Sequence, residues 1–288
     1  MRFNVVLIDP PSARFGHFLF DLLRLLQGGL EDLGHRCTLR RNTIERGAVN
    51  VLVGVHLLED GRLLDALLDA GSPYVIVQTE RLTAGGFNHV PDPRFDELFV
   101  PLAQRAAGIW EGLADNVSAL AKLGIESRLL RAGFTERLCQ FTPRAERDVD
   151  FAFVGSMTPH RRNVLETLRR LGYRVEVLFD DGAPFKNDLF SRTEVNLTLR
   201  QHEGQPHLPV GRLLYLVHNR CLVAGDTGEG DEAYRAMFVH ERERDVIEML
   251  RRTRANPDRH ALADAAFEAL RAMPMAAELA PLVEALPR

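Results

Sequence analysis

The 288-residue chain has few cysteines, no long apolar run and no excess of positive charge. Its three cysteines, Cys37, Cys139 and Cys221, lie far apart, are odd in number and follow no metal-ligand spacing. A disulfide framework and a zinc site are therefore not expected, and the thiols suit a reducing cytoplasm. No apolar stretch approaches the ~20 residues that span a bilayer. Val5 to Ile8 runs straight into Asp9-Pro10-Pro11, so no leader peptide is expected either. With 36 Lys and Arg against 40 Asp and Glu, the net charge is −4, and the basic face of a nucleic-acid binder is lacking. The cluster Arg251, Arg252 and Arg254 is offset by Glu241, Glu243, Asp245 and Glu248, which reads as a solvated helix face. No Gly-x-Gly-x-x-Gly follows the first apolar run, against a dinucleotide-dependent oxidoreductase. There is no internal repeat and no low-complexity tract.

What is present is ordinary globular material, 45% apolar and 26% charged, at a length that suits one large domain or two of average size. Short β-branched runs alternate with leucine-rich helical patterns. Phe3 to Ile8 reads as a strand, then Leu19, Leu22, Leu23, Leu26, Leu30 and Leu33 recur at helical spacing up to Gly34. Strands are expected at 37–39, 50–55, 74–77 and 127–130, with helices at 63–68 and 116–123 and shorter elements at 98–100 and 107–110. Gly133 to Arg147 breaks the rhythm with Gly133, Pro143 and a charge cluster. After it the alternation restarts, with strands at 151–154, 173–179, 195–199 and 221–224, helices at 161–171, 186–192 and 212–218, and a helical remainder from Asp231. The expectation is two α/β domains with mainly parallel sheets, 1–140 and 141–288. Ligands of such sheets sit beyond the carboxyl ends of the strands, which directs attention to the turns after residues 8, 77, 154, 199 and 224.

The stretch from Asp148 to Asp226 concentrates features that suit an anion. Phe151-Ala152-Phe153-Val154 stops on Gly155-Ser156, and Arg161 and Arg162 open the next helix. Arg200, Gln201, His202 and Glu203 follow the 195–199 strand. Arg212 opens an apolar helix, and Leu222-Val223-Ala224-Gly225-Asp226-Thr227 ends a strand in a small-residue turn. Glycine lets the backbone approach a ligand, helix N-termini offer free N–H groups, and guanidinium forks match phosphate oxygens. Gly155, Ser156, Arg161, Arg162, Arg200, Arg212, Asp226 and Thr227 are the candidate ligand contacts, with a diphosphate as the ligand they suit. Asp148-x-Asp150 precedes its strand rather than ending it, so no metal-binding Asp-x-Asp stands at a strand end.

These residues also carry a resemblance. Phe153-Val154-Gly155-Ser156, the arginine-led Arg161-Arg162-Asn163-Val164-Leu165, Arg212-Leu213-Leu214-Tyr215-Leu216-Val217 and the acid after Leu222-Val223-Ala224 are similar to the donor domain of GT-B glycosyltransferases, in particular a bacterial glycosyltransferase-like group. Gly16-His17, a leucine-rich helix, Gly34-His35 and a strand resemble the opening of inverting GT-B enzymes. The resemblance implies two tandem Rossmann-like domains, an acceptor-side N-terminal half and a nucleotide-sugar-binding C-terminal half. It implies transfer from a nucleoside-diphosphate-sugar, UDP- or dTDP-linked, to a small-molecule, glycan or protein acceptor, with no metal and no further cofactor. One departure is Pro209, which stands where such proteins commonly carry a glutamate; Glu203 is out of register with it.

An inverting transfer also needs a base. His17, after the first strand, has a side chain whose ordinary pKa near ~6.5 suits proton abstraction, and the resemblance gives a histidine there that role. Glu80, after Gln78-Thr79 at a strand end, is the alternative base or acceptor contact. His56 also ends an apolar strand, while His35 closes a helix and reads as a surface residue. Two other readings use the same scaffold, a nucleotide-sugar epimerase and a non-catalytic nucleotide- or sugar-binding protein.

Overall fold

The structure is a computed structural model, and it describes residues 1–11, 19–88, 90–179, 182–201, 208–226, 232–241 and 245–287. The chain divides into two compact units, Met1–Thr135 with Pro274–Arg288, and Glu136–Met273.

The first unit runs β1 (Arg2–Leu7), α1 (Phe20–Asp32), β2 (Arg36–Arg41), β3 (Val49–Val53), α2 (Arg62–Ala70) and β4 (Tyr74–Gln78). It continues through three two-residue strands, β5 (Leu82–Thr83), β6 (Gly86–Phe87) and β7 (Val90–Pro91), then α3 (Val100–Arg105), β8 (Gly108–Glu111), α4 (Ala114–Lys122) and β9 (Arg128–Leu129). The main sheet is parallel in the order β2-β1-β3-β4-β8-β9, while β5, β6 and β7 form a small antiparallel sheet. β3 and β4 are buried along their whole length, which is why their sequences are mostly apolar rather than alternating, with Asn50 and Gln78 as the polar exceptions. One face packs Val6, Leu52, Ile76 and Ile109 against Leu67, Leu102 and Leu120 of the helices. Phe87, Phe95 and Phe99 add an aromatic knot with ring centroids 5.3–5.5 Å apart. The short elements expected at 98–100 are a single wide helical turn, Phe95–Phe99, leading into α3.

The second unit runs β10 (Val149–Val154), α5 (Pro159–Arg170), β11 (Val175–Leu178), α6 (Ala183–Ser191), β12 (Thr193–Thr198), α7 (Val210–His218), β13 (Val223–Asp226), β14 (Val239–Glu241), α8 (Val246–Ala255) and α9 (Arg259–Arg271). Its sheet is again wholly parallel, in the order β11-β10-β12-β13-β14. Phe151, Phe153, Val195, Leu197 and Leu199 meet Val164, Leu165 and Leu168 of α5 and Met249 and Leu250 of α8. β14 falls in the stretch expected to be wholly helical. It is only three residues long, and its period-two signal is too short to stand out.

Two features shift the expected division at residue 140. Residues 136–141 belong to the second unit because Asn219, at the end of α7, binds them from both sides of its amide. Its Oδ1 accepts from Gln140 N at 2.6 Å and Phe141 N at 2.9 Å, and its Nδ2 donates to Leu138 O at 2.9 Å. The last helix, α10 (Met275–Glu284), expected in the second domain, packs on α1 of the first. Gly29 makes that docking surface, and Gly28 beside it faces Thr135. A Cβ on Gly29 would come within 2.6 Å of Met275 Cγ, and one on Gly28 within 2.2 Å of Thr135 Oγ1. The role of Gly29 is close approach of the two helices.

Candidate functional site

Both sheets place their first strand between the second and third, so the crossover direction reverses beside β1 and β3 and again beside β10 and β12. The carboxyl ends of those strands are where an open parallel sheet binds ligands.

In the second unit, β10 ends at Gly155, whose φ of +150° and close surroundings only glycine tolerates. A Cβ there would lie 2.4 Å from Arg212 Nη2. α5 starts at once, with Thr158 as its cap accepting from Arg161 N and Pro159 in the first turn. Arg161 is buried and fully engaged. Its Nε and Nη2 donate to Leu199 O at 3.1 and 2.9 Å, Nε also reaches Arg200 O, and Nη1 donates to Ser156 O at 2.9 Å and Ser156 Oγ at 3.0 Å. It thus ties the turn after β10 to the end of β12. Burial pulls its pKa down to about 10, against the attraction of Asp226.

Arg212, in the first turn of α7, lies on the other side of the same turn. Its Nε donates to Val154 O at 2.8 Å, and its guanidinium carbon sits 4.6 Å from the Phe153 ring centre, where Arg161 sits at 5.1 Å. Arg212 Nη1 is buried and has no hydrogen-bond partner among the described residues. Burial and the neighbouring Arg161 lower its pKa to about 9, with Asp226 opposing. Asn196 and Thr198 of β12 are fully buried, and Asn196 Oδ1 and Nδ2 and Thr198 Oγ1 likewise lack partners among the described residues.

Asp226 ends β13 with no exposed surface. Its Oδ1 accepts from Arg200 N at 3.0 Å, and its Oδ2 lies 2.7 Å from His160 Nε2 and 3.6 Å from Arg200 Nε. Asp226 was expected to meet a ligand; the structure makes it the internal anchor of His160 and Arg200. Three guanidiniums, Arg161, Arg200 and Arg212, thus lie around one carboxylate, Asp226.

The structure brings together Gly155, Ser156, Arg161, Arg200, Arg212 and Asp226. Arg162 is exposed near the start of α5 and joins no cluster among the described residues. Thr227, His202 and Glu203 lie outside the described residues, as does His17. Pro209 precedes α7 as its N-terminal flank and makes no side-chain cap. His160 was missed in sequence. Its signal was present, since a capping Thr158 and Pro159 place it in the first helical turn beside the arginines, but its partner lies 66 residues away.

In the first unit, Glu80 follows β4 and faces His56, which follows β3, with Oε1 to Nε2 at 3.6 Å. Burial disfavours the charged form of His56, the Glu80 carboxylate opposes this, and Arg94 adds to it. Glu80 also meets the Asn88 amide and Thr79 Oγ1. Behind it, Asn116 donates to Glu80 O at 2.8 Å and to Glu111 Oε2 at 2.9 Å and accepts from Leu82 N at 2.9 Å. Glu111 has no exposed surface, and burial pushes its pKa up to about 8 despite the Asn116 bond. Its Oε1, Gln78 Nε2 and His56 Nδ1 lack partners among the described residues. A half-exposed carboxylate beside an imidazole, held by a rigid polar floor, is chemically able to take a proton from a hydroxyl.

No group of three or more His, Cys, Asp or Glu suited to a metal ion occurs among the described residues. Among them, no helix is long and apolar enough to cross a membrane.

Two parallel Rossmann-like units in one chain, with cationic turns at a strand-end switch point, define the fold as that of the GT-B glycosyltransferases. The chain is similar in structure to HepE of Anabaena, solved in complex with UDP, with a TM-score of 0.58 at 12% identity over 99% of this chain and 100% of that one. It is similar to AviGT4, a glycosyltransferase involved in avilamycin A biosynthesis, with a TM-score of 0.60 at 14% identity over 99% and 96%. T4 phage BGT in complex with its UDP-glucose substrate gives 0.61 at 9% identity over the whole of both chains. No family model and no curated protein matches the chain by sequence.

Proposed function

We propose that the protein is a glycosyltransferase that moves a sugar from a UDP- or dTDP-linked donor to a hydroxyl-bearing acceptor, a small molecule, glycan or protein, without a metal ion. The observation that carries this reading is the Arg212 guanidinium. It is held over Phe153 with Nε tied to Val154 O, and Nη1 is buried with no partner among the described residues, beside a glycine whose missing side chain keeps the turn open. A desolvated cation held in place this way suits a phosphate oxygen. The guanidiniums of Arg161 and Arg212 give this turn a positive character that suits an anionic diphosphate, the role a metal plays elsewhere. Two of the structural neighbours were solved with UDP or UDP-glucose, which agrees with a nucleotide ligand.

In the transfer, the bond between the anomeric carbon and the β-phosphate oxygen breaks and its electron pair stays on the diphosphate. The acceptor oxygen forms the new bond and its proton passes to a base. Glu80, backed by His56, and His17 are the candidates for that base. Of the three free cysteines, Cys139 is exposed, which fits a reducing compartment such as the cytoplasm.

The test is incubation of the protein with UDP- and dTDP-sugars, with and without acceptor mixtures, followed by mass spectrometry. A glycosylated acceptor and free nucleoside diphosphate are expected. Conversion of the donor sugar without acceptor, or no turnover with any donor, would overturn the assignment.

A further inference from the structure

We propose, on the reading of Glu80 as the base given above, that Asn88 is the positioning residue of that base, holding Glu80 Oε2 so that Oε1 receives the acceptor's proton. Asn88 stands between β6 and β7 in the left-handed region, at a φ of +52°. Asparagine enters that region more readily than most side chains. Its backbone N–H donates to Arg81 O at 2.8 Å, and its Oδ1 accepts from Arg81 N at 3.3 Å. With Oδ1 spent on Arg81, the side-chain nitrogen is the end directed at Glu80, and Nδ2 donates to Oε2. The hairpin that carries Asn88 is itself held firmly. Asn116 Oδ1 takes Leu82 N at 2.9 Å where β5 begins, Phe87 is buried against Phe95 and Phe99, and a Cβ on Gly86 would collide with Val90 O. A rigid element therefore presents the amide.

The two carboxylate oxygens of Glu80 are left unequal. Oε2 meets the Asn88 amide, whereas Oε1 has Thr79 Oγ1 at 3.3 Å and His56 Nε2 at 3.6 Å, the second beyond hydrogen-bonding distance. Asn116 Nδ2 fixes the main chain of the same residue through Glu80 O at 2.8 Å. Of the Glu80 side chain, 26% is exposed. Oε1 thus keeps lone-pair capacity for a hydroxyl, and the hold on Oε2 sets its direction. In the transfer, the acceptor's proton passes to Oε1, the acceptor oxygen bonds the anomeric carbon, and the diphosphate leaves with the electron pair of the broken bond. The alignment matters because a displacement of about 1 Å can cost about a hundredfold in rate.

The test is steady-state kinetics of nucleoside diphosphate release from a panel of UDP- and dTDP-sugars with acceptor mixtures. The proteins are the natural chain, Asn88→Asp, Asn88→Gly, Glu80→Ala, and Glu80→Ala combined with Asn88→Asp. Aspartate keeps an acceptor for Arg81 N and tolerates the left-handed backbone but offers Glu80 no N–H, while glycine keeps the backbone and removes the side chain. In both Asn88 variants kcat is expected to fall about tenfold to a hundredfold, with the KM for the donor and the thermal midpoint unchanged. Glu80→Ala is expected to lose most turnover, and Asn88→Asp to cost nothing further in that background. Natural kcat in either Asn88 variant, an equal loss with and without Glu80, or a fall in kcat matched by a lower thermal midpoint in both variants would overturn the role of Asn88 and leave the transfer reading standing. Natural kcat in Glu80→Ala would remove Glu80 as the base and Asn88 with it. No turnover by the natural protein with any donor would overturn the transfer reading itself.

Discussion

Replacing Glu111 by Gln tests whether the buried carboxyl behind Glu80 is held neutral. Glu111 has no exposed surface, and its pKa is pushed up to about 8 from an ordinary 4.5 by burial. In the unfolded chain the group ionises above pH 4.5, while in the folded chain it keeps its proton to about pH 8. The folded state therefore binds more protons, and stability falls as pH rises. The stabilisation is fully present below pH ~4.5 and lost by the time pH passes ~8. Over pH 5 to 8 the loss is roughly 3–4 kcal/mol, near the ~1.4 kcal/mol per unit that one proton gives. Glutamine keeps an oxygen for Asn116 and cannot ionise. The natural protein should thus lose roughly 3–4 kcal/mol more than Glu111→Gln between those two pH values. The assay is urea unfolding followed by tryptophan fluorescence. Trp110, the single tryptophan, is buried on β8 next to Glu111, so the signal reports the first unit. Parallel pH dependences in the two proteins would refute the reasoning.

Three further substitutions follow from the packing. Gly29→Leu forces a side chain against Met275 and Leu279 and is expected to cost about 1–3 kcal/mol, seen as a lower urea midpoint of the Trp110 signal. Arg161→Met strips the hydrogen bonds from Leu199 O, Arg200 O and Ser156 O and should destabilise the second unit by roughly 3 kcal/mol, measured by thermal unfolding in circular dichroism. Gly155→Ala brings a methyl within 2.4 Å of Arg212 Nη2 and should weaken UDP binding about tenfold by displacing that guanidinium, measured by calorimetry.

Much of the fold was legible because buried parallel strands leave short, mostly apolar β-branched and aromatic runs, as at 49–53, 74–78 and 149–154. The glycine turn after β10 and the arginines near it could be read locally for the same reason. What could not be read depends on partners distant in the chain. Asp226 follows a buried strand like any ligand contact, and only the fold shows it committed to His160 and Arg200. Arg161 had the position of a phosphate ligand, yet three backbone carbonyls take up its donors. Asn116 and Glu111 sit in unremarkable stretches of sequence, and their role behind Glu80 arises from a bond spanning 36 residues. α10 is apolar and helical in either unit, and its place is set by its close approach to Gly29, which no periodicity reveals.

The central claim is that the turn after β10 and Arg212 bind a nucleoside diphosphate, and titration of UDP and dTDP into the natural protein and Arg212→Gln tests it most directly. Losing a charge-assisted contact of about 1.5–3 kcal/mol predicts binding at least tenfold weaker in the variant, with thermal stability retained. No binding to the natural protein, or equal affinity in both, would contradict the account.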